Sequence, residues 1–219
     1  MASTIASSHT SLLTAQHSVG HVHLIIGSNP LAASRATNSL AAGAKPILIA
    51  PTVENQTIHY NLAAHIASGA LTHLSRPFQN DDLFTLGREE VSGVVDAVFI
   101  TAPNAVNAPE IADKCRRNRI PINVVDCPPL CSFSLLSVHV DGPLQVGVTT
   151  NGRGCKLASR IRREVAAALP EGLGTAVERL GGVRRRILEE AAAKRGGHGQ
   201  PQVVADEGVD DSVDQGAEF

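Results

Sequence analysis

The sequence predicts an α/β fold in which helices cover both faces of a parallel sheet. Short apolar runs alternate with longer segments of helical spacing from residue 21 to residue 130, a pattern typical of strands joined by crossover helices. Hydrophobic residues make up 43% of the 219 residues, enough to form a substantial core. Because the chain has no Trp, one Tyr and five Phe, that core must be aliphatic, as in a buried parallel sheet.

The individual elements are predicted from their apolar runs and end signals. Gly43 suits the end of the first helix, and the basic turn from Lys114 to Arg119 suits the dipole at the end of the third. Strands are predicted at His21–Ile26, Pro46–Ala50, Leu71–Leu74, Val94–Thr101 and Pro121–Val125. Helices are predicted at Ala32–Ala42, Thr57–Ser68 and Asn104–Asn118, with one further helical turn within Gln79–Leu86.

The rest of the chain follows a different pattern. Two apolar runs, Phe133–Val140 and Leu144–Thr150, flank a turn at Asp141-Gly142-Pro143 and predict a hairpin. Helices are expected at Leu157–Leu169 and within Gly172–Lys194. We therefore expect a disordered leader at residues 1–20, an α/β domain at 21–130, a small α+β region at 131–194, and a disordered acidic tail at 195–219.

Composition and charge exclude several classes of function. The net charge of −2 gives no electrostatic basis for binding nucleic acid or an anionic membrane. No apolar run reaches the ~18 to 20 residues of a membrane span, and the start of the chain lacks the basic region of a secretory signal. The four cysteines form no CxxC pair, and the nine histidines form no ligand pattern. We expect a cytoplasmic protein with free thiols and no resident metal.

The turn after the first predicted strand has features of a dinucleotide site. A Rossmann-type fold needs a glycine for the tight turn and free backbone N–H groups where the next helix begins, because the pyrophosphate binds there. Gly27 meets the first need, and Ala32 is small enough for helix–strand packing. Asn29 stands where a second glycine is usual, and Pro30 has no N–H to offer. No acidic residue ends the second strand, which leaves NAD and NADP both open.

Three stretches together resemble a known family. They are Leu24–Ala44, Ile122–Pro128 and Val148–Glu164, which contain Leu-Ile-Ile-Gly, Asn-Val-Val-Asp-Cys-Pro and Thr-Thr-Asn-Gly. Their order and spacing are similar to the precorrin-2 dehydrogenase/sirohydrochlorin ferrochelatase module of siroheme synthases, over roughly Val22 to Leu180. Fungal relatives can carry this module before a uroporphyrinogen-III methyltransferase domain. The chain is expected to be either a stand-alone version or part of a longer fusion.

The resemblance implies a reaction and its participants. NAD accepts a hydride from precorrin-2 to give sirohydrochlorin, and the same site then inserts Fe2+, which is a substrate. Asp126 matches the single catalytic carboxylate of the family. A carboxylate at the end of the last parallel strand could accept a proton in either step. The alternative interpretation of Asp126 is a turn residue before Pro128.

Further site residues are carried over by their position in these motifs. The expected cofactor contacts are Gly27, Asn29, Pro30, Leu31, Pro51, Thr52, Thr101, Ala102 and Asn104. The expected substrate contacts are Thr150, Asn151, Gly152, Arg153, Lys156 and Arg160. The basic members of the second set suit a tetrapyrrole polycarboxylate, although a solvated helix face is the alternative.

The resemblance also implies a homodimer in which the region at 131–194 supplies the interface and part of the substrate site. Two other readings stay open. The Rossmann-type domain at 21–130 could be a catalytically degenerate scaffold associated with a methyltransferase. It could also belong to an unrelated regulator, although the third stretch does not fit that class.

Overall fold

The computed structural model of the chain describes residues 11–52 and 58–194. Two predictions lie partly outside the described residues, namely the leader at its residues 1–10 and the second helix at its first residue. The predicted tail at 195–219 lies wholly outside them. The described chain divides into two compact units. The first runs up to Ser137 and includes Thr149–Ala158, and the second comprises Val138–Val148 and the chain from Ser159 onward.

The first unit contains a five-stranded parallel sheet in the order β3-β2-β1-β4-β5. This order is typical of a Rossmann nucleotide-binding fold and confirms the predicted fold class. The strands are β1 (Val22–Ile26), β2 (Lys45–Ile49), β3 (Thr72–Leu74), β4 (Ala97–Ile100) and β5 (Ile122–Val124). The helices between them are α1 (Pro30–Ala41), α2 (Tyr60–Ala67), α3 (Asp82–Thr85) and α4 (Ala108–Arg117).

Strand pairing aligns the carboxyl ends of the central strands. Ile26, the last residue of β1, pairs with Ile49 of β2 and with Ile100 of β4. All five residues of β1 are buried, since helices cover both faces of the sheet. Two aliphatic clusters fill these faces, one packed by α4 and the other by α1 and α2. The turns that follow β1, β2 and β4 are therefore held at a common edge by a rigid core.

Proline explains where two helices begin. The first helix was expected at Ala32 but starts at Pro30, because a proline suits the first helical position, where an N–H would have no helical partner. The third was expected at Asn104, but that residue lies in a 3₁₀ turn, Pro103–Ala105, and α4 begins only at Ala108. Pro109 accounts for this later start, since proline is tolerated only in the first turn of a helix.

The end of the expected leader is part of the first unit. Ser18 is buried, and its carbonyl accepts a hydrogen bond from the His21 amide at 3.0 Å. The Gly20 amide donates to the Gly43 carbonyl at 2.8 Å. The prediction of disorder through residue 20 is therefore wrong at its carboxyl end.

The second unit contains the predicted hairpin and most of the predicted helical region. Strands β6 (Ser137–Asp141) and β7 (Leu144–Val148) are joined by Gly142 and Pro143. Helix α5 (Cys155–Ala168) begins in the first unit, and α6 (Leu173–Lys194) follows it in the second. The Gly174 amide donates to the Asp141 carboxylate at 2.8 Å, which ties the start of α6 to the hairpin.

Candidate functional site

The turn after β1 requires glycine for two independent reasons. Gly27 has a φ of +112°, in the region that side chains other than glycine rarely adopt. A Cβ built at this position would lie 2.5 Å from Oγ1 of Thr101. Thr101 is itself buried, and its hydroxyl donates to the Ile26 carbonyl at 3.0 Å. The backbone of β1 and the turn after β4 therefore approach each other as closely as a nucleotide-binding turn requires.

Asn29 caps the first helix. Its Oδ1 accepts a hydrogen bond from the Ala32 amide at 2.9 Å, and its Nδ2 donates to the Thr101 carbonyl at 2.8 Å. The side chain thus joins the start of α1 to the turn after β4. Within the described part of the chain, the amides of Ser28, Asn29 and Leu31 donate no hydrogen bond. These three N–H groups at a helix start suit a pyrophosphate. The Ala32 amide is already bonded to Asn29, and Pro30 has no N–H, so neither residue can donate to the ligand.

A crevice of about 690 Å3 opens at this edge of the sheet. It lies where the strand order reverses between β1 and β4, the position at which open α/β sheets bind ligands. The lining residues are Ile26, Gly27, Ser28, Ile49, Ala50, Pro51, Pro77, Phe78, Gln79, Asn80, Ala102, Ala105, Val106, Asn107, Glu110 and Ile111. The mostly apolar lining with a few polar groups fits the nucleoside part of a dinucleotide.

The predicted cofactor residues are only partly brought together. Gly27, Pro51 and Ala102 line the crevice, and Asn29, Pro30 and Leu31 surround the start of α1. The remaining three predicted residues lie neither in the crevice nor at the start of α1. Thr101 is buried behind Gly27, Thr52 is hydrogen-bonded to Ser75, and Asn104 is exposed on its turn.

Sequence reasoning missed the loop after β3 and the start of α4. Phe78, Gln79 and Asn80 from the loop and Asn107 and Glu110 from the helix line the crevice. One signal could have identified them. Polar residues that follow two strands of one parallel sheet meet at the same edge, and both segments follow a predicted strand.

An ion pair fixes the loop after β3. The guanidinium of Arg76 donates to both carboxylate oxygens of Asp82, at 2.6 and 2.9 Å, and the Gln79 amide donates to the same carboxylate at 2.8 Å. Burial alone would raise the pKa of Asp82, but the hydrogen bonds from Arg76 and Gln79 outweigh it and hold the pKa below its usual value. One wall of the crevice is therefore rigid.

Asp126 lies beyond the end of β5. The strand was expected to reach Val125, but it ends at Val124, and Asp126 occupies the turn that follows. Asp126 has a φ of +56°, an uncommon conformation for a residue other than glycine and one often found at functional sites. Its side chain is exposed and forms no hydrogen bond within the described residues. The carboxylate is thus free to accept a proton.

Side chains from the segment after this turn cover the outer edge of β5. The Val124 amide donates to the Cys131 sulfur at 3.1 Å, and the thiol donates back to the Val124 carbonyl at 3.2 Å. The Ile122 amide donates to the Ser132 hydroxyl at 2.8 Å. The boundary expected at residue 130 is therefore displaced, because these contacts attach Cys131 and Ser132 to the sheet and the first unit runs to Ser137. Cys131, expected to be only a free thiol, fixes the strand that leads to Asp126.

The Thr-Thr-Asn-Gly loop shares a second crevice with the segment after Asp126. This crevice has a volume of about 810 Å3 and is lined by residues 11–16, Pro121, Pro128, residues 131–136 and Thr149. Its amino-terminal wall contacts the loop directly, since the Ser11 hydroxyl donates to Oδ1 of Asn151 at 2.7 Å.

The loop itself is a tight turn. Asn151 and Gly152 both have positive φ, and the Gly154 amide donates to the Thr150 hydroxyl at 3.0 Å.

The predicted basic residues differ in their availability. Arg153 and Lys156 belong to the same compact unit as Asp126, are exposed, and form no ion pair within the described residues. Arg160 belongs to the second unit, and its guanidinium already pairs with Glu164 at 2.8 Å. Arg153 and Lys156 are therefore the cations best placed to meet a carboxylate ligand beside the loop.

Within residues 11–52 and 58–194, no group of three or more His, Cys, Asp or Glu side chains could hold a metal ion. None of the helices in these ranges combines the length and the apolar character that crossing a membrane demands.

Two family profiles match consecutive parts of the chain. The first, described as "Putative NAD(P)-binding", matches residues 17–137, and the second, described as "Sirohaem biosynthesis protein central", matches residues 141–168. The first profile covers the sheet, the crevice and Asp126. The second covers most of the hairpin, the Thr-Thr-Asn-Gly loop and α5.

Curated relatives and a solved structure agree with these profiles. A uroporphyrinogen-III C-methyltransferase of Saccharomyces cerevisiae is 34% identical over 82% of this chain and 32% of its own length. A siroheme biosynthesis protein of Schizosaccharomyces pombe is 32% identical over 82% of this chain and 64% of its own length. The chain thus spans less than two thirds of either relative.

The solved structure of SirC, a precorrin-2 dehydrogenase, superposes with a TM-score of 0.58 at 17% identity, over 77% of this chain and 76% of that one. At this low identity the superposition shows that the two chains share a fold. The chain therefore belongs to the family described as "Putative NAD(P)-binding", and its match to the sirohaem biosynthesis central profile and to siroheme biosynthesis proteins makes it similar to siroheme synthases.

Proposed function

We propose that this chain is an NAD+-dependent dehydrogenase that oxidises precorrin-2 to sirohydrochlorin. The observation that carries the proposal is Asp126, whose carboxylate forms no hydrogen bond within the described residues and lies at the carboxyl edge of a sheet that belongs to an NAD(P)-binding family. When bound, NAD+ supplies the hydride acceptor. Asp126 accepts the proton that the tetrapyrrole loses with the hydride, so that two hydrogens leave the substrate in total.

The residues present fit a dinucleotide in three respects. Gly27 permits close approach, the amides of Ser28, Asn29 and Leu31 are available to the pyrophosphate, and the crevice accommodates a nucleoside. Arg153 and Lys156 would hold carboxylates of the tetrapyrrole, since ion pairs with such groups orient a substrate as well as bind it.

The distribution of charge favours NAD+ over NADP+. A 2′-phosphate needs a cationic partner near the end of β2. The sequence has no Lys or Arg between Lys45 and Arg76, and Arg76 is committed to Asp82. Among the described lining residues of the crevice, the charged one is the acidic Glu110. The negative charge of a 2′-phosphate would therefore meet no cationic side chain in the described lining of this crevice.

We extend the proposal to a second activity at the same site, the insertion of Fe2+ into sirohydrochlorin. Fe2+ is a substrate of this step and not a resident cofactor. Asp126 would accept protons from the pyrrole nitrogens as the metal enters. A single unpaired carboxylate can serve both reactions, because each needs only a proton acceptor beside the macrocycle.

We also propose that the chain acts as a homodimer. Apolar side chains of the hairpin and α6 are exposed in the second unit, among them Val138, Val140, Leu180 and Ile187. Such residues are typical of an interface between copies of a chain. Light scattering at micromolar concentration should give twice the monomer mass of 22.9 kDa. The monomer mass would contradict this part of the proposal. Cytoplasmic localisation stays a prediction from the sequence.

One observation favours a second candidate, a scaffold that supports a methyltransferase without chemistry of its own. Pro30 has no amide hydrogen, and Asn29 occupies the amide of Ala32, so the pyrophosphate would meet fewer donors than at a glycine-rich turn. A scaffold needs neither dinucleotide binding nor a free carboxylate.

An anaerobic assay with precorrin-2 and NAD+ separates the two candidates. The dehydrogenase should form one NADH per sirohydrochlorin, and adding Fe2+ should then yield siroheme. A protein without either product and without NAD+ binding would be the scaffold. The matched control is heat-denatured protein, which measures spontaneous oxidation of the substrate.

A further inference from the structure

The crevice next to Gly27 extends away from Asp126. Its lining comes from the ends of β1 and β2, the loop after β3 and the segment from Ala102 to Ile111, and it includes no residue of β5. In a dinucleotide fold the pyrophosphate lies at the start of the first helix, and the two nucleosides extend to opposite sides of it. On the proposed function, the reacting nicotinamide lies toward Asp126, and the adenosine therefore lies in this crevice.

A polar cluster closes one part of the crevice. The carboxylate of Glu110 accepts hydrogen bonds from Nδ2 of Asn80 at 3.2 Å and from Nδ2 of Asn107 at 3.0 Å. It also pairs with Lys114 at 2.8 Å. Asn80 and Asn107 come from different connections of the sheet, so Glu110 joins the two walls of the crevice.

The chemistry of Glu110 fixes the orientation of both amides. An ionised carboxylate can only accept hydrogen bonds, so the NH2 groups of Asn80 and Asn107 must face it. The pairing with Lys114 lowers the pKa of Glu110, which keeps the carboxylate ionised. The carbonyl oxygens of both asparagines are left without a hydrogen bond within the described residues. The acceptors that these three side chains present are therefore the Glu110 carboxylate and two amide carbonyl oxygens, while each NH2 group keeps one further N–H.

The remaining walls suit the flat faces of a purine. Pro51, Phe78, Val106 and Ile111 are apolar and belong to the same lining. A base held between them would be bound with little dependence on its identity, since every purine has apolar faces. Discrimination between bases must therefore come from the polar cluster.

We propose that Glu110, Asn80 and Asn107 form a specificity-determining cluster that recognises the exocyclic amine of adenine in the bound dinucleotide. The amine is a donor with two hydrogens, and the cluster supplies the acceptors. Hypoxanthine carries a carbonyl oxygen at the same position, which the negative charge of the Glu110 carboxylate would repel. The inference rests on the proposed function, because it takes the ligand of this crevice to be NAD+.

Calorimetric titration of the full chain with NAD+ and with nicotinamide hypoxanthine dinucleotide tests the proposal. The unaltered protein should bind the hypoxanthine analogue about tenfold more weakly, the effect of one unsatisfied polar group. Glu110→Gln should weaken NAD+ binding by a similar factor and reduce the discrimination to about twofold or less. Asp113→Asn is the matched control. It removes the same charge from the same helix, but Asp113 pairs with Arg117 outside the crevice.

The outcomes separate this inference from the proposed function. If the unaltered protein binds both dinucleotides equally, the cluster does not recognise the base, while NAD+ binding itself stands. The inference is also overturned if Glu110→Gln and Asp113→Asn change the ratio of the two affinities to the same extent. If neither dinucleotide binds, the proposed function fails together with the inference. Thermal unfolding of both variants serves as a folding control, since Glu110 and Asp113 are about half exposed.

Discussion

The turn after β1 and the turn after β5 lie at the same edge of the sheet, but they hold their side chains differently. Around Gly27, backbone and side chains are locked together, with Asn29 bonded to Thr101 and Thr101 bonded to Ile26. Around Asp126, the backbone is fixed but the carboxylate has no hydrogen bond within the described residues. This difference matches the two roles that we propose for the turns. A binding turn gains from rigidity, whereas a proton acceptor must keep its oxygens available.

The largest effect of a single substitution in either turn is expected at Gly27. Gly27→Ala should lower the free energy of unfolding by about 4 kcal/mol, since the new methyl group meets Thr101 and the positive φ disfavours alanine. NAD+ affinity should fall at least tenfold, because the turn can no longer keep its shape. Urea unfolding and calorimetry measure the two effects.

Gly69→Ala is the matched control for this variant. Gly69 also has a positive φ, of +73°, but a Cβ there meets no atom of the described residues within 4 Å. Gly69→Ala should lower the free energy of unfolding by only about 1 kcal/mol, because the positive φ alone disfavours alanine there. Equal losses in the two variants would show that the close approach at Gly27 is unimportant.

The sheet beneath the binding turn should give the molecule a pH-dependent stability. His23 lies in β1, is buried, and has one ring nitrogen hydrogen-bonded to Ser39 at 2.8 Å. Burial, together with nearby His21, lowers the pKa of His23 to about 4. The His23 ring therefore stays neutral in the folded protein at pH values where the same ring in the unfolded chain is protonated, that is, below about pH 6.5. The stabilisation is complete above pH 6.5 and is lost as the pH falls toward 4.

The expected loss across this window is roughly 3 kcal/mol, from the difference between the two pKa values. Urea unfolding at a series of pH values measures it. His23→Gln keeps a hydrogen-bonding group for Ser39 but cannot titrate, so its stability should vary much less over the same window. If His23→Gln leaves the pH dependence of the free energy of unfolding unchanged, other groups cause that dependence.

The residues that sequence reasoning placed correctly are those defined by local pattern. The apolar runs of β1 and β4 lie at the centre of the sheet, and the hairpin turn contains Gly142 and Pro143 as expected. Gly27 and Asp126 could be located at the ends of strands because each follows such a run, and their roles stay predictions. The starts of α1 and α4 were also available from the sequence, since Pro30 and Pro109 permit a helix to begin only nearby.

Contacts between distant segments could not be predicted in the same way. Cys131 bonds to Val124 across a turn, and Asn80 bonds to Glu110 across the crevice. No periodicity encodes such pairs, because they depend on how loops of irregular conformation meet at the sheet edge. The same reason explains why Thr52 and Asn104, chosen by position after a strand, do not line the crevice.

A smaller effect is expected at the edge of β5. Cys131→Ala removes both hydrogen bonds to Val124 and should lower the free energy of unfolding by about 1 to 2 kcal/mol. Turnover should fall as well, since the turn that carries Asp126 loses its anchor. Cys155→Ala, at an exposed thiol, is the control and should change neither quantity. A Cys131 variant as stable as the control would mean that the thiol contacts contribute nothing.

Asp126→Asn tests most directly whether one turn binds the dinucleotide and the other supplies the proton acceptor. The substitution keeps the size of the side chain but removes the proton acceptor. Precorrin-2 oxidation should slow by about 100- to 10,000-fold. NAD+ affinity, measured by calorimetry on the same preparation, should stay within about twofold of the unaltered protein, because Asp126 lies outside the lining of the nucleotide crevice. Unchanged oxidation rates would contradict the account, and so would a loss of NAD+ binding that parallels the loss of rate.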